Sequence, residues 1–157
     1  MWHRLRNGDI SYIASDHAPA TRSQKREGSI WDVLFGLPGI DTTLPIMLDA
    51  VSKGLLTYAR LAEVYARMPA WLYGFYPQKG VLQPGSDADF VLVDPDAEYT
   101  LEDENIISKA GWTPFAGRRL QGRVVAAYLH GHKISEGGAC VAPTGLGKFV
   151  PGRGYTG

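Results

Sequence analysis

The sequence has little cysteine, no excess of charge of either sign and no long hydrophobic run. Its one cysteine, Cys140, cannot form a disulfide within the chain, and no signal-peptide layout begins it, which together point to the cytoplasm. Sixteen basic side chains balance sixteen acidic ones, so no long-range field attracts nucleic acid or an anionic membrane. No apolar run approaches the roughly 20 residues that span a bilayer. We therefore expect neither nucleic acid nor a membrane as a partner.

Glycine and proline, by contrast, are abundant. The 157 residues suit one ordinary domain with a hydrophobic core, and 19 glycines and 10 prolines favour short elements joined by tight turns. A helical bundle is therefore not expected.

A short apolar run lies near the amino terminus. Asp9 to Ser15 is rich in β-branched and aromatic residues, which predicts a buried strand. Asp16 and His17 follow directly, and Pro19 ends the ladder. In parallel α/β barrels, catalytic groups lie just past the carboxyl ends of strands. Asp16 is thus a candidate, although an isolated aspartate at such a position more often caps a turn.

Two amphipathic helices are predicted next. Leu44 to Ser52 places its apolar residues on one face, and Gly54 stops it. Thr57 is suited to cap a second helix that extends to Met68. Both patterns are typical of helices that pack on a sheet.

Beyond about residue 75 the pattern changes to β structure. Phe90 to Val93 reads as a strand, and Val124 to Leu129 with Lys133 to Ser135 predicts a hairpin around Gly131. Neither half looks self-sufficient, because one barrel-type strand has no parallel neighbours and the β segment has open edges. The sequence therefore indicates a fragment, which we expect to associate or aggregate when isolated.

Three motifs in fixed order resemble a known family. They are Ser-Asp-His-Ala-Pro at 15–19, Gly-Leu-Pro-Gly-Ile-Asp-Thr at 36–42 and Lys-Gly-x-Leu-x-Pro-Gly-x-Asp-Ala-Asp at 79–89. From about Asp9 to about Gly137 the chain resembles the dihydroorotase, hydantoinase and allantoinase branch of the amidohydrolase superfamily. Family members are metal-dependent (β/α) barrels with a small β-sandwich, and they usually form dimers or tetramers.

The resemblance implies an α/β fold in three parts. Residues 1–75 are expected to hold the last strand and closing helices of a (β/α)₈ barrel, residues 76–137 strands of a composite β-sandwich, and residues 138–157 a Gly/Pro-rich tail. A complete barrel needs about 250 residues, so this chain is expected to carry only its carboxyl-terminal portion.

The resemblance also gives Asp16 a role. A bound metal lowers the pKa of water enough to supply hydroxide, and the ring nitrogen of a cyclic amide leaves only once protonated. Asp16 is expected to ligate the metal and to carry the proton from water to nitrogen. His17 either orients Asp16 or faces solvent. In dihydroorotases a histidine that contacts the substrate carboxylate follows at the position of Ala20, so dihydroorotate is less secure as substrate unless Thr21 or Arg22 substitutes.

The residues Phe35 to Gly39 resemble the substrate loop of the family, whose backbone groups bind the edge of the cyclic amide. Phe35, Gly36 and Leu37 are the predicted contacts, and glycine permits a close approach. A plain connecting turn is the alternative.

Other candidates carry a structural interpretation. His130 and His132 flank the glycine of a hairpin, far from Asp16 in sequence, so exposed hairpin residues are favoured over a metal pair. Trp112 to Gly117 resembles a loop that docks the sandwich, or a neighbouring subunit, onto the barrel. Cys140 is expected to be a free thiol.

The remaining metal ligands of the family, which are histidines and a carboxylated lysine on earlier strands, have no counterpart before Asp9. Zinc, as one or two ions, is therefore expected in the parent enzyme but not in the isolated chain, which should be inactive. The expected partners are a small cyclic amide, the remainder of the amidohydrolase chain and further copies in a homo-oligomer. The alternatives are a non-catalytic interaction module resembling the dihydropyrimidinase-related proteins, and a lyase or deaminase.

Overall fold

Helices occupy the first half of the chain and an antiparallel sheet the second. The structure, a computed structural model, describes residues 1–26 and 28–152, so Glu27 and the last five residues of the predicted tail lie outside it. The elements are α1 (Trp2–Asn7), α2 (Thr43–Ser52), α3 (Tyr58–Ala62), a π-helical turn (Glu63–Arg67), α4 (Met68–Leu72), β1 (Phe90–Leu101), a 3-10 turn (Asp103–Asn105), β2 (Arg118–Leu129), β3 (His132–Glu136) and β4 (Ala139–Cys140).

The first predicted helix is confirmed as α2, which begins one residue before the predicted start. The carbonyl of Gly39 accepts hydrogen bonds from the hydroxyls of Thr42 and Thr43, at 3.3 and 2.8 Å. The backbone N–H groups of the same two threonines also donate to it. These bonds satisfy donors that the first turn of a helix leaves unpaired.

The second predicted helix is confirmed as α3, with Thr57 as its cap. The Thr57 hydroxyl accepts from the backbone N–H of Arg60 at 3.1 Å. The predicted end at Met68 is wrong, because the helical path continues through the π-helical turn and α4 to Leu72. Pro69 is the second residue of α4 and directly follows the π-helical turn and Met68.

The π-helical turn frees one carbonyl for a contact outside the helix. The N–H of Met68 bonds to the carbonyl of Glu63, five residues back, and Pro69 has no N–H to offer. The carbonyl of Val64 instead accepts from the N–H of Ile13 at 3.0 Å. This bond holds the amino-terminal segment against the helix.

The sheet has the strand order β1-β2-β3-β4, with every neighbouring pair antiparallel. The predicted hairpin is confirmed by β2 and β3, whose register pairs Leu129 with His132. Strand β1 pairs with β2 from Phe90 opposite Tyr128 to Leu101 opposite Arg118.

One hydrophobic core joins the helices to the sheet. Its buried members are Leu5, Met47, Leu48, Leu56, Leu61 and Val64. Val93 of β1 and Val124 of β2 pack against that cluster from the sheet. The helical and β parts therefore stabilise each other, since burying apolar surface is the main favourable contribution to folding.

The assignment of Asp9 to Ser15 to the last barrel strand stays a prediction. Within the described part of the chain the predicted buried strand is not formed, since residues 11–16 pair with no strand there and Tyr12 and Ala14 are exposed. The physical reason is that a parallel strand is buried between neighbours, and the described residues supply none. Separately, no helix within the described ranges is long and apolar enough to cross a membrane.

Candidate functional site

Asp16 lies at the end of this extended segment, in a backbone conformation that few side chains adopt. Its φ is 45°, in the left-handed region, where aspartate is among the few residues tolerated. Its side chain is exposed and has no hydrogen-bond or ion-pair partner within residues 1–26 and 28–152. Strained backbone of this kind often occurs at functional sites.

Asp16 borders a cleft of about 520 Å³. The cleft is mostly apolar, and its other lining residues are Met1, Ala14, Ser15, Gly36, Leu37, Pro38, Gly39, Thr42, Thr43, Ile46, Met47, Pro114 and Phe115. Of the predicted substrate contacts, Gly36 and Leu37 share this cleft with Asp16, whereas Phe35 is 91% exposed and is not among the lining residues. Pro114 and Phe115, predicted only as parts of a docking loop, contribute another wall.

The residues Phe35 to Gly39, here called the glycine loop, pair with the segment that carries Asp16. His17 and Leu37 form a parallel bridge, and the N–H of Ala18 donates to the carbonyl of Leu37 at 3.0 Å. The backbone N–H and C=O of Gly36 have no hydrogen-bond partner in the described part of the chain. The backbone polar groups of Gly36, which lines the same cleft as Asp16, are thus available to a ligand.

The close contact between the glycine loop and the segment that carries Asp16 requires glycine at both positions. Gly36 has φ 87°, and a Cβ added to it would lie 2.3 Å from the Cβ of Ala18. A Cβ on Gly39 would lie 2.6 Å from the carbonyl oxygen of Ser15. Only a residue without a side chain allows the two backbones to approach so closely.

His17 contacts the glycine loop rather than the carboxylate of Asp16. Its Nδ1 accepts from the backbone N–H groups of Gly39 and Ile40, at 3.1 and 3.2 Å. Two donors on Nδ1 assign the ring proton to Nε2. No hydrogen bond links His17 to the Asp16 side chain among the described residues, so orientation of Asp16 by His17 stays a prediction.

The predicted docking loop contacts the segment after Asp16, and its docking of a sandwich onto a barrel stays a prediction. Trp112 is 7% exposed, and its Nε1 donates to the carbonyl of Ala20 at 2.7 Å. The guanidinium of Arg22 lies over the Trp112 ring, 5.0 Å from its centroid, and pairs with Asp103 at 2.7 Å. Hydrogen bonds from Arg22 and from the N–H of Thr113 hold the pKa of Asp103 below its usual value.

These contacts also engage the two residues considered for a substrate carboxylate. Arg22 is paired with Asp103, and the Thr21 hydroxyl bonds to Gln24 at 3.1 Å. Ala20 is 4% exposed and offers no polar side chain.

His130 belongs to a polar cluster that the sequence did not predict. Its backbone N–H donates to Asp89 at 2.8 Å, and its Nδ1 lies 3.6 Å from Asp87. Lys79 bonds to both aspartates, and its hydrogen bond lowers the pKa of Asp87. Burial lowers the pKa of Lys79, but the hydrogen bonds and the negative charges of the two aspartates together raise it. The motif at residues 79–89 thus holds the turn between β2 and β3 through these contacts. The exposed His132 is not part of the cluster.

Comparison with known proteins gives consistent matches. The profile described as "Amidohydrolase family" matches residues 1–132. An L-hydantoinase of Paenarthrobacter aurescens is 37% identical over 99% of this chain and 34% of its own length. A dihydroorotase of Pyrococcus furiosus is 40% identical over 87% of this chain and 31% of its own.

Solved structures agree with the sequence relatives. The L-hydantoinase (dihydropyrimidinase) from Arthrobacter aurescens superimposes with a TM-score of 0.87 at 36% identity, covering 96% of this chain and 34% of that one. The chain therefore spans about a third of the length of the relatives it matches.

Proposed function

Because this chain belongs to the amidohydrolase family, we propose that it is the carboxyl-terminal part of a metal-dependent hydrolase that opens a cyclic amide or ureide. One observation supports the proposal: the exposed Asp16 lines the same cleft as Gly36 and Leu37. A proton-transfer group and hydrogen-bonding groups for an amide thereby face one space.

Asp16 has the chemistry of a general acid and base. Zinc, when bound in the parent enzyme, would lower the pKa of a water molecule toward neutrality. The carboxylate of Asp16 would accept the proton that this water releases as its oxygen bonds to the ring carbonyl carbon. It would then deliver the proton to the ring nitrogen, so that the C–N bond breaks and the protonated nitrogen remains part of the opened product. Gly36 would contact the amide edge of the substrate through its free backbone groups, and Phe35 and Leu37 would flank it.

The fit of the described residues to zinc is partial. A carboxylate oxygen suits zinc as one ligand, but within residues 1–26 and 28–152 no three His, Cys, Asp or Glu side chains are arranged so that they could hold a metal ion. We therefore propose that the other ligands belong to the remainder of the amidohydrolase chain. The extended segment before Asp16 would then be the last barrel strand, and β1 to β4 part of the sandwich, in a cytoplasmic homo-oligomer.

The test is an assay of the complete reading frame that contains this chain, supplied with zinc, against hydantoins, dihydropyrimidines, allantoin and dihydroorotate. We expect hydrolysis of at least one member, and a fall in kcat of about 10²- to 10⁴-fold in Asp16→Asn. Asp96→Asn, which changes an exposed aspartate of β1, is the matched control and should keep full activity.

Metal analysis extends this test. The purified 157-residue chain alone should hold no stoichiometric zinc, whereas the complete protein should hold one or two ions. A complete protein that folds and binds zinc but opens no ring would contradict the proposal and favour the non-catalytic interaction module.

A further inference from the structure

We infer that His17 is the positioning residue of the glycine loop, whose carboxyl end it fixes relative to Asp16. The anchoring rests on contacts within this chain. Its consequence for a substrate rests on the proposed function.

The two ends of the glycine loop are held in different ways. Near its amino end the attachment is between backbones, through the bond from Ala18 to the carbonyl of Leu37. After Pro38, which has no N–H to donate, the next two backbone N–H groups both reach the His17 ring. A single side chain therefore accepts the hydrogen bonds from both backbone N–H groups at the carboxyl end.

The same peptide is held from its other side by α2. The Gly39 carbonyl accepts from the hydroxyl of Thr43 at 2.8 Å, while the N–H of Ile40, in the same peptide group, donates to His17. His17 thus links the segment that carries Asp16 to the first turn of a helix whose buried face lies in the core. The separation of Asp16 and the glycine loop across the cleft depends on this link.

The chemistry of the ring allows a sharp test. An asparagine at position 17 can place its Oδ1 where the Nδ1 of His17 accepts, whereas a leucine places a methyl group there. A glutamine keeps an amide but puts it one bond further from the backbone. His17→Asn should therefore preserve the anchor, and His17→Leu and His17→Gln should lose it.

Hydrogen exchange of the protein from the complete reading frame measures the anchor directly. In His17→Leu the amides of Gly39 and Ile40 should exchange about tenfold faster, as expected for the loss of a hydrogen bond, and in His17→Asn they should stay within about threefold of the wild type. His132→Leu, an exposed histidine of β3, is the control and should change neither amide.

Equal exchange in His17→Leu and the wild type would overturn the anchor. Should His17→Leu fail to fold, His17→Gln makes the same prediction, and unchanged exchange in that variant would overturn it equally.

The kinetic arm separates this inference from the proposed function. With an active wild type, His17→Leu should raise KM about fivefold or more and leave kcat within about threefold, because a loosened loop weakens ground-state and transition-state binding alike. A fall in kcat at constant KM would mean that His17 acts on Asp16, and would overturn the inference. If the wild type opens no ring while the exchange results hold, the proposed function fails and the anchor stands.

Discussion

Two aspartates in this fold differ completely in their surroundings. Asp49 on α2 is 1% exposed and accepts from Lys53 at 2.6 Å, from Arg118 at 3.2 Å and from the backbone N–H of Gln121 at 3.3 Å. Asp16 is exposed and has no such partner among the described residues. Asp49 ties α2 to β2 and serves the stability of the chain, whereas we propose that Asp16 serves chemistry and contributes nothing to stability.

The largest expected effect comes from making the same substitution at both aspartates. Asp49→Asn should lower the free energy of unfolding by about 3 kcal/mol, because it removes charge-assisted hydrogen bonds from Lys53 and Arg118 and places an amide NH₂ group in a buried site surrounded by donors. Asp16→Asn should change that free energy by less than about 0.5 kcal/mol, as is usual for an exposed site. Urea unfolding at neutral pH measures both. A comparable loss of unfolding free energy in the two variants would contradict the view that Asp49 stabilises the fold and Asp16 does not.

A pair of glycines sharpens the comparison with a smaller effect. Gly122 of β2 has φ 93°, and an added Cβ would lie 3.1 Å from the Cβ of Leu48 in the core, where neighbours are fixed. Gly122→Ala should cost about 2 kcal/mol through left-handed strain and overpacking. Gly36→Ala has the tighter clash, with Ala18, but the glycine loop lies on the surface and can move away from the segment beneath it.

For Gly36→Ala we therefore expect a loss of only about 1 kcal/mol in unfolding free energy, together with faster hydrogen exchange at Gly39 and Ile40. Gly54→Ala, with φ 69° and open space around the added Cβ, isolates the backbone strain. A cost for Gly36→Ala above that for Gly122→Ala would show that the glycine loop is as firmly held as the core.

The same contrast explains how much the sequence alone could predict. Helix α2, the Thr57 cap and the hairpin of β2 and β3 depend on local patterns of apolar residues, caps and turns, and all three were predicted. The segment before Asp16 was predicted as a strand because its residues suit one. Strand pairing, however, needs neighbouring strands, and the described residues supply none there.

Besides the strand, the sequence did not predict the hydrogen bonds between side chains and distant backbone groups. The roles of Asp49 and His17 depend on N–H groups of distant residues, which have no signature in the sequence. The π-helical turn likewise depends on a contact between distant residues, because the Val64 carbonyl, which Pro69 cannot pair with, accepts from the N–H of Ile13. The motifs that resemble the amidohydrolases nevertheless placed Asp16 and the glycine loop together, and two of the three predicted loop contacts line the cleft with it.

The smallest expected effect concerns Asp103, which joins the β part to the segment after Asp16 through Arg22. The pKa of Asp103 is lowered in the folded state, first by the hydrogen bond from Arg22 and then by that from Thr113. Its stabilising contribution is therefore fully present above the unfolded pKa of about 3.9 and is lost as the pH falls through the lower folded value. Asp103→Asn removes the ionisable group, so wild type and variant should differ in unfolding free energy at neutral pH and converge below about pH 4.

Urea unfolding between pH 7 and pH 3 tests this, with Asp96→Asn as an exposed control that should follow the wild type at every pH. Because Arg22 and Asp103 are both partly exposed, added salt should shrink the difference. A difference that stays constant with pH would mean that Asp103 stabilises the Trp112 loop by packing alone. The contact between the β part and the cleft would then be as insensitive to protonation as the apolar core.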